Sequence, residues 1–362
     1  MKDAISMSAL VAAVAPLLCT PPLSGDEPAS IATDAEVHCS ATADVRVILV
    51  AIDGVRWQEV YEGTDPALVG DRPRRSAQAL VPHLHALAKR GIALGAPGHG
   101  EAFYASGPNF VSLPGYTEML TGRPAPCQEN DCTDRPNWTL LDAFHSTGSS
   151  VGAIASWAPI ARVAAADPEV GLISAGRVPS DRVRALPTMQ ATFDAGARAG
   201  ASPGHGDYRP DAFTRAIALG VLQRERPRFL FVGLGDTDEH AHAGDYGAYL
   251  DALGLADRFV GDVMELASAW RKEGEETIVV VTTDHGRSAD FRNHGRAWAE
   301  SGRGWLIAAG GPIPARGFVS SPRPRHLKDI APTLAAVAKL PIERRGDSGE
   351  VITEMLTSCE VR

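Results

Sequence analysis

Val45–Gly54 reads VRVILVAIDG, and this stretch decides the fold. From Val45 to Ile52 it is apolar and largely β-branched, broken only by Arg46. It does not alternate with polar residues, so both faces of the strand it forms must be buried. It stops at Asp53-Gly54, an acid and a turn residue at the carboxyl end of the strand. Two later runs share the pattern. RFLFVGLG (Arg228–Gly235) leads into Asp236, and TIVVVTT (Thr277–Thr283) leads into Asp284-His285. A weaker fourth run is WLIAAG, Trp305–Gly310.

Helical patterns separate these runs. VPHLHALAKRG has Pro82 near its first turn and stops at Gly91. Others are expected from about Trp138 to His145, Asp211 to Arg224 and Tyr246 to Trp270, with HLKDIAPTLAAVAKL as the last. Strands alternating with helices specify an open α/β sheet. The segment from about 159 to 210 is rich in Ala, Gly, Arg and Pro and poorly periodic, so it is expected to decorate the core as a cap or loop insertion.

The chain has 362 residues, a formal charge of −9, 44% hydrophobic and 22% charged residues. That length supplies a core without disulfides or metals as props, and the composition excludes a disordered chain. The acidic balance argues against a nucleic-acid scaffold held by general phosphate attraction. The opening MKDAISMSALVAAVAPLLCTPPLSG has the order of a secretory signal, assigned to residues 1–25. Its apolar part is too short for an integral membrane span. An exported protein, periplasmic or secreted, is therefore expected. A linker over 26–44, a catalytic domain over 45–345 and a tail over 346–362 complete the division.

Five cysteines are present. Removal of the signal would take Cys19 and leave an even number. Cys127 and Cys132 lie five apart in a Pro/Asn/Asp-rich stretch, a spacing that suits a disulfide-closed loop. Cys39 and Cys359 flank the whole fold, and a bridge between them would tie the termini together.

Sites in open parallel sheets form beyond the carboxyl ends of the strands. One aspartate there is usually a plain cap for the next turn. Three like charges at one edge would repel and raise each other's pKa unless something positive sits among them. A pair of divalent metal ions is the obvious remedy. Asp236 and His240 are four apart, and Asp284-His285 are adjacent. His294 lies in a polar loop just beyond. His242 is read with the remaining histidines as structural, because its spacing from Asp236 is less helpful. Mixed Asp and His ligation favours zinc, with manganese or another divalent ion as the alternative. Ser112, before Pro114 and a helix-compatible run to Gly122, is the candidate nucleophile. A serine there can be a simple helix cap, yet the position also offers free backbone N–H groups to a phosphoryl group.

In this order the residues resemble the alkaline phosphatase superfamily, in its branch of type I phosphodiesterases and nucleotide pyrophosphatases. The resemblance rests on Asp53-Gly54, Ser112-Leu-Pro through Thr121-Gly122, Asp236 with His240, Asp284-His285-Gly286, His294-Gly295 before WLIAAGGP, and DIAPTLAAVAKLP. It implies a three-layer αβα sandwich with a mostly parallel central sheet and helices on both faces. It implies one metal on Asp53, Ser112, Asp284 and His285, and a second on Asp236, His240 and His294. It also implies in-line attack by Ser112 on a small-molecule phosphate ester, through a phosphoseryl intermediate. The branch's phosphoryl-binding asparagine has no fixed match. Counting at its spacing reaches Thr133, which leaves Asn130, Asn137, Asn109 or none of them for the role, and leaves both a phosphomonoesterase and a phosphodiesterase open. A sulfatase is the nearest rival, but Ser112-Leu-Pro-Gly-Tyr116 lacks the arginine of the sulfatase Cys/Ser-x-Pro-x-Arg signature. A non-enzymatic metal-binding module would not need Ser112 at a helix start.

Overall fold

The computed structural model describes residues 37–39, 45–179, 187–342, 346–357 and 359–361. The expected signal, most of the linker, and 180–186 of the expected insertion lie outside the described residues. The strands, in chain order, are β1 Val37–Cys39, β2 Arg46–Ile52, β3 Gly91–Leu94, β4 Phe103–Tyr104 and β5 Val151–Ala155. There follow β6 Leu172–Ala175, β7 Phe229–Leu234, β8 Thr277–Thr282, β9 Arg303–Gly304 and β10 Leu306–Ala309. The last are β11 Gly317–Phe318, β12 Arg325–His326 and β13 Cys359–Val361.

Eight of them form the main sheet in the order β11-β3-β10-β8-β2-β7-β5-β6. β2 sits in the middle, parallel to both β7 and β8. β10 alone runs against its two neighbours, β3 and β8. The opening stretch explains this placement. Val47, Leu49 and Ala51 enter one hydrophobic cluster, while Ile48, Val50 and Ile52 enter another on the opposite face. A strand with no polar face can rest only at the centre of a sheet covered on both sides. Helices Ser112–Thr121, Leu140–His145 and Ile330–Val337 contribute to the first cluster. Helices Pro82–Arg90, Asp211–Glu225 and Tyr246–Lys272 contribute to the second. The expected three-layer α/β architecture is thus the one observed.

The five helices read from the sequence are present, the last starting at Ile330 after a short 3-10 turn over Leu327–Asp329. The segment 159–210 departs from a simple cap. Its Leu172–Ala175 forms β6 and pairs with β5 at the sheet edge. The short run LISA carries too little apolar bulk to announce a strand. The expected tail likewise packs into the molecule. Val351, Ile352, Met355 and Leu356 are buried in the first cluster. β1 pairs antiparallel with β13, with Cys39 opposite Cys359 in register. Among the described residues no helix is long and apolar enough to cross a membrane.

Candidate metal centre

β2, β7 and β8 are adjacent in the sheet, so their carboxyl ends deliver Asp53, the helix Asp236–His242 and Asp284-His285 to one edge. Gly54 turns the chain away after Asp53 with φ +61, a left-handed conformation that favours glycine. A Cβ there would lie 2.4 Å from Asp238 Oδ1, so the close approach also requires it. The helix Ser112–Thr121 starts beside this edge, with Ser112 as its first residue.

Ser112 Oγ donates to Asp53 Oδ1 at 3.3 Å and lies 3.2 Å from His285 Nε2. Tyr116, one turn further on, donates its hydroxyl to Asp53 Oδ2 at 2.9 Å. Asp284 Oδ1 accepts from the Gly54 N–H at 3.0 Å. Its other oxygen is buried and has no hydrogen-bond partner. It lies 3.5 Å from His285 Nε2, which is 3.4 Å from Asp53 Oδ1. Asp53, Asp284 and His285 therefore offer ligand atoms to one point, and Ser112 Oγ borders it.

A second group lies alongside. Asp238, His285 and His294 also converge on one point. His242 Nε2 is 3.0 Å from Asp238 Oδ2 and 3.0 Å from His294 Nε2. The rings of His285 and His294 stack at 4.0 Å between centroids. His294 Nδ1 meets Phe110 O at 2.8 Å, and His285 Nδ1 meets Gly286 O at 2.8 Å. A carbonyl only accepts, so each Nδ1 carries a proton and each Nε2 is turned to the centre.

The structure corrects the second ligand set. Asp236 and His240 do not join it. Asp236 Oδ1 accepts from Tyr208 Oη at 2.7 Å and from the Asp211 N–H at 3.1 Å. Asp211 in turn accepts from the Gly235 and Asp236 N–H groups. The two acids cap each other's helices. The pair facing His294 is Asp238 and His242. Two residues turn a helix by about 200°, so the pairs 236/240 and 238/242 point to opposite sides. The stretch Asp236-Thr-Asp-Glu-His-Ala-His242 contains both Asp-x-x-x-His pairs, and only the helix phase selects between them.

The asparagines also take definite places. Asn109 is buried and fully engaged. It donates Nδ2 to Gln128 O at 2.7 Å and accepts the Arg296 N–H at 2.8 Å. Asn130 Oδ1 accepts from the Leu113 N–H at 2.9 Å, directly beside Ser112. Cys127 and Cys132 form the expected disulfide. Arg287 was not singled out from sequence. Its buried guanidinium contacts Asp238 Oδ1, donates to Gly54 O at 3.2 Å and to Arg292 O at 2.8 Å. An arginine in a polar loop gives no sequence signal of this inward role.

The electrostatics are those of a site that collects positive charge. Burial, then Asp53, pushes the Asp284 carboxyl well above its usual range. Burial opposes a charged His285, but Asp284 and Asp53 outweigh it and raise the imidazole to about 9. Burial and the neighbouring His285 lower His294 to about 3. At Asp238 burial is overcome by the Arg287 guanidinium, which holds the carboxyl well below its usual range. Crowded acids, an unpartnered buried carboxylate oxygen and imidazole Nε2 atoms 3.0 Å apart fit divalent cations.

A family model described as the metalloenzyme superfamily matches residues 212–298, which include Asp238, His242, Asp284, His285 and His294. No curated protein matches the chain. Solved structures do. BT1596, a 2-O GAG sulfatase, is 14% identical with a TM-score of 0.55, over 86% of this chain and 74% of that one. The lipoteichoic acid synthase LtaP from Listeria monocytogenes is 11% identical with a TM-score of 0.52, over 89% and 79%. An alkaline phosphatase superfamily protein from Vibrio parahaemolyticus is 14% identical with a TM-score of 0.55, over 92% and 76%. The family model covers about a quarter of the chain, and the solved structures share its fold. The fold is that of the alkaline phosphatase superfamily, the family the sequence resembles.

Proposed function

We propose that this chain is a metal-dependent hydrolase of phosphate esters, with Ser112 as nucleophile and residues 45–345 as its catalytic domain. The observation that carries the reading is Ser112 Oγ at a helix start, 3.3 Å from Asp53 Oδ1 and 3.2 Å from His285 Nε2. Asp53, Asp284, His285 and Ser112 would hold one divalent cation, and Asp238, His242 and His294 the other. Two bound cations would supply the positive charge that favours the serine alkoxide and stabilises the attacking and leaving oxygens. Zinc suits the imidazole-rich second set.

The protein's own part is positioning. Tyr116 fixes Asp53, and the Gly54 N–H fixes Asp284. The close seat of the helix on the Asp284 backbone depends on Gly115, where a Cβ would meet Asp284 O at 2.4 Å. Ser112 Oγ attacks phosphorus, the ester oxygen leaves on the opposite side, and water then hydrolyses the phosphoserine. Most of the catalysis would be orientation and charge stabilisation.

Sulfate ester hydrolysis is the competing reading, supported by sulfatases among the structures of like fold. Tyr116, bound to Asp53, stands where the sulfatase signature has arginine, and this favours phosphate. Export forms part of the proposal, supported by the order of the N-terminal sequence and by the Cys127–Cys132 disulfide. The test is release from p-nitrophenyl phosphate, bis-p-nitrophenyl phosphate and p-nitrocatechol sulfate by the zinc-loaded chain and by Ser112→Ala. Phosphate ester turnover that falls by at least about 10³-fold in the variant is expected. Turnover of the sulfate alone would replace this reading with the sulfatase one. No turnover of any of the three would refute both.

A further inference from the structure

Cys127 and Cys132 close a six-residue loop, CQENDC, whose Cα atoms are 6.0 Å apart at the bridge. The loop has no regular structure, and Glu129 and Asn130 are exposed. Yet it reaches both ends of the candidate centre. Asn130 Oδ1 accepts the N–H of Leu113, the residue after Ser112, at 2.9 Å. Gln128 accepts from Asn109 twice, through its backbone carbonyl at 2.7 Å and through Oε1 at 3.2 Å. Glu129 Oε2 accepts from Asn109 Nδ2 at 3.2 Å. Asn109 passes the contact on, because its Oδ1 accepts the Arg296 N–H at 2.8 Å, two residues past His294.

We propose that the disulfide-closed loop is the positioning element that holds the nucleophile's helix start and the His294 segment in mutual register. Between its cysteines the loop is polar, and Cys132 alone of its residues packs against the first hydrophobic cluster, so each hydrogen bond made by Gln128, Glu129 and Asn130 must beat the entropy of ordering them. The cross-link removes much of that entropy. Opening it frees Asn130 from Leu113 and Gln128 from Asn109 while the sheet and both hydrophobic clusters stay intact. Neither asparagine is a catalytic residue here. Both act through the backbone of others. The loss of turnover expected below rests on the hydrolase reading; the loss of amide protection does not.

The test uses the full chain, loaded with zinc, before and after treatment with a water-soluble phosphine. That reductant cleaves the S–S bond. The phosphine takes oxygen from one water and becomes the phosphine oxide, and the water's two protons leave both sulfurs as thiols. A thiol reductant is avoided because it would compete for zinc. Cys127→Ser/Cys132→Ser and Asn130→Ala are measured beside it. Opening the loop should lower kcat by about tenfold or more with KM within about twofold, since misplacement of reacting groups acts on turnover. Asn130→Ala should reproduce part of the loss, and the phosphine should leave the double serine variant unchanged. Amide exchange at Leu113 and Arg296 should accelerate while β2, β7 and β8 keep their protection. Unchanged exchange at both amides, with the thiols confirmed by alkylation and mass analysis, overturns the proposal even if the chain hydrolyses nothing. Accelerated exchange with unchanged kcat also overturns it, because the loop would then order the backbone without positioning the chemistry.

Discussion

Arg287 carries more of the candidate centre than its place in a polar loop suggests. Its guanidinium joins three chain segments: Gly54 after β2, Asp238 on the helix Asp236–His242, and the loop that leads to His294. It is nearly fully buried, and its planar fork satisfies several acceptors at once. Lysine would keep the charge and lose the fork. Arg287→Lys is expected to fold and to hold the Asp238 ion about 10- to 100-fold more weakly, the usual effect of disturbing a ligand's supporting shell. Arg287→Met is expected to lose that ion altogether. Metal titration by calorimetry checks both, and unchanged affinity in both variants would show that Arg287 only fills space. At this scale the sequence was legible where chemistry is tied to a strand end. Asp53, Asp284 and His285 follow apolar runs directly and lie where that position puts them. Asp238 and His242 were hidden behind Asp236 and His240, because a helix start can begin its turn at either acid.

The helix Ser112–Thr121 is the element on which the account depends. Every residue from Ser112 to Leu120 is buried, including Glu118. Glu118 accepts the Ser106 N–H at 2.8 Å, the Ser106 hydroxyl at 2.6 Å and the Lys328 N–H at 3.0 Å. It thereby ties the far half of the helix to the Ser106 loop and to the 3-10 turn Leu327–Asp329. Burial raises its carboxyl from 4.5 to about 7, with the Ser106 and Lys328 hydrogen bonds opposing the rise. Between those values the folded chain binds a proton that the unfolded chain has released. Stability from this group is therefore complete below about pH 4.5 and falls as pH rises to about 7, by roughly 3 kcal/mol in all. Glu118→Gln has no charge to bury, so its stability should fall less over this range than that of the wild type. Urea midpoints at pH 5 and pH 8 measure the difference, and parallel pH dependence in the two proteins would contradict it. The helix itself was readable from its Pro near the start and Gly at the end. Strands β3, β5 and β6 were not, because GIAL, VGAIA and LISA are short and rich in small residues. Their burial comes from neighbours that only the folded sheet supplies.

Across the whole molecule, the central sheet sets the chemistry by bringing β8, β2 and β7 side by side. Neighbouring strands end at one edge, where β2 and β8 carry Asp53 and Asp284 directly and β7 leads into the helix that bears Asp238. The net charge of −9 says little about that edge, where Arg287 and bound cations would offset the local acids. The three-layer architecture was legible from continuous apolar runs alternating with helices. The contribution of 346–357 to the core was not, since that stretch has no periodicity to mark it. A centre built from crowded carboxylates and facing imidazoles should be linked to the stability of the fold. Ions bound only by the folded chain stabilise it by about 4 kcal/mol at a thousandfold excess over Kd. The most direct measurement is to count ions by elemental analysis and follow the melting temperature through chelation and zinc reloading. About two ions per chain are expected, with a fall in melting temperature when they are removed and recovery when zinc returns. A chain that binds no divalent ion, or that melts at the same temperature after complete demetallation, would contradict it.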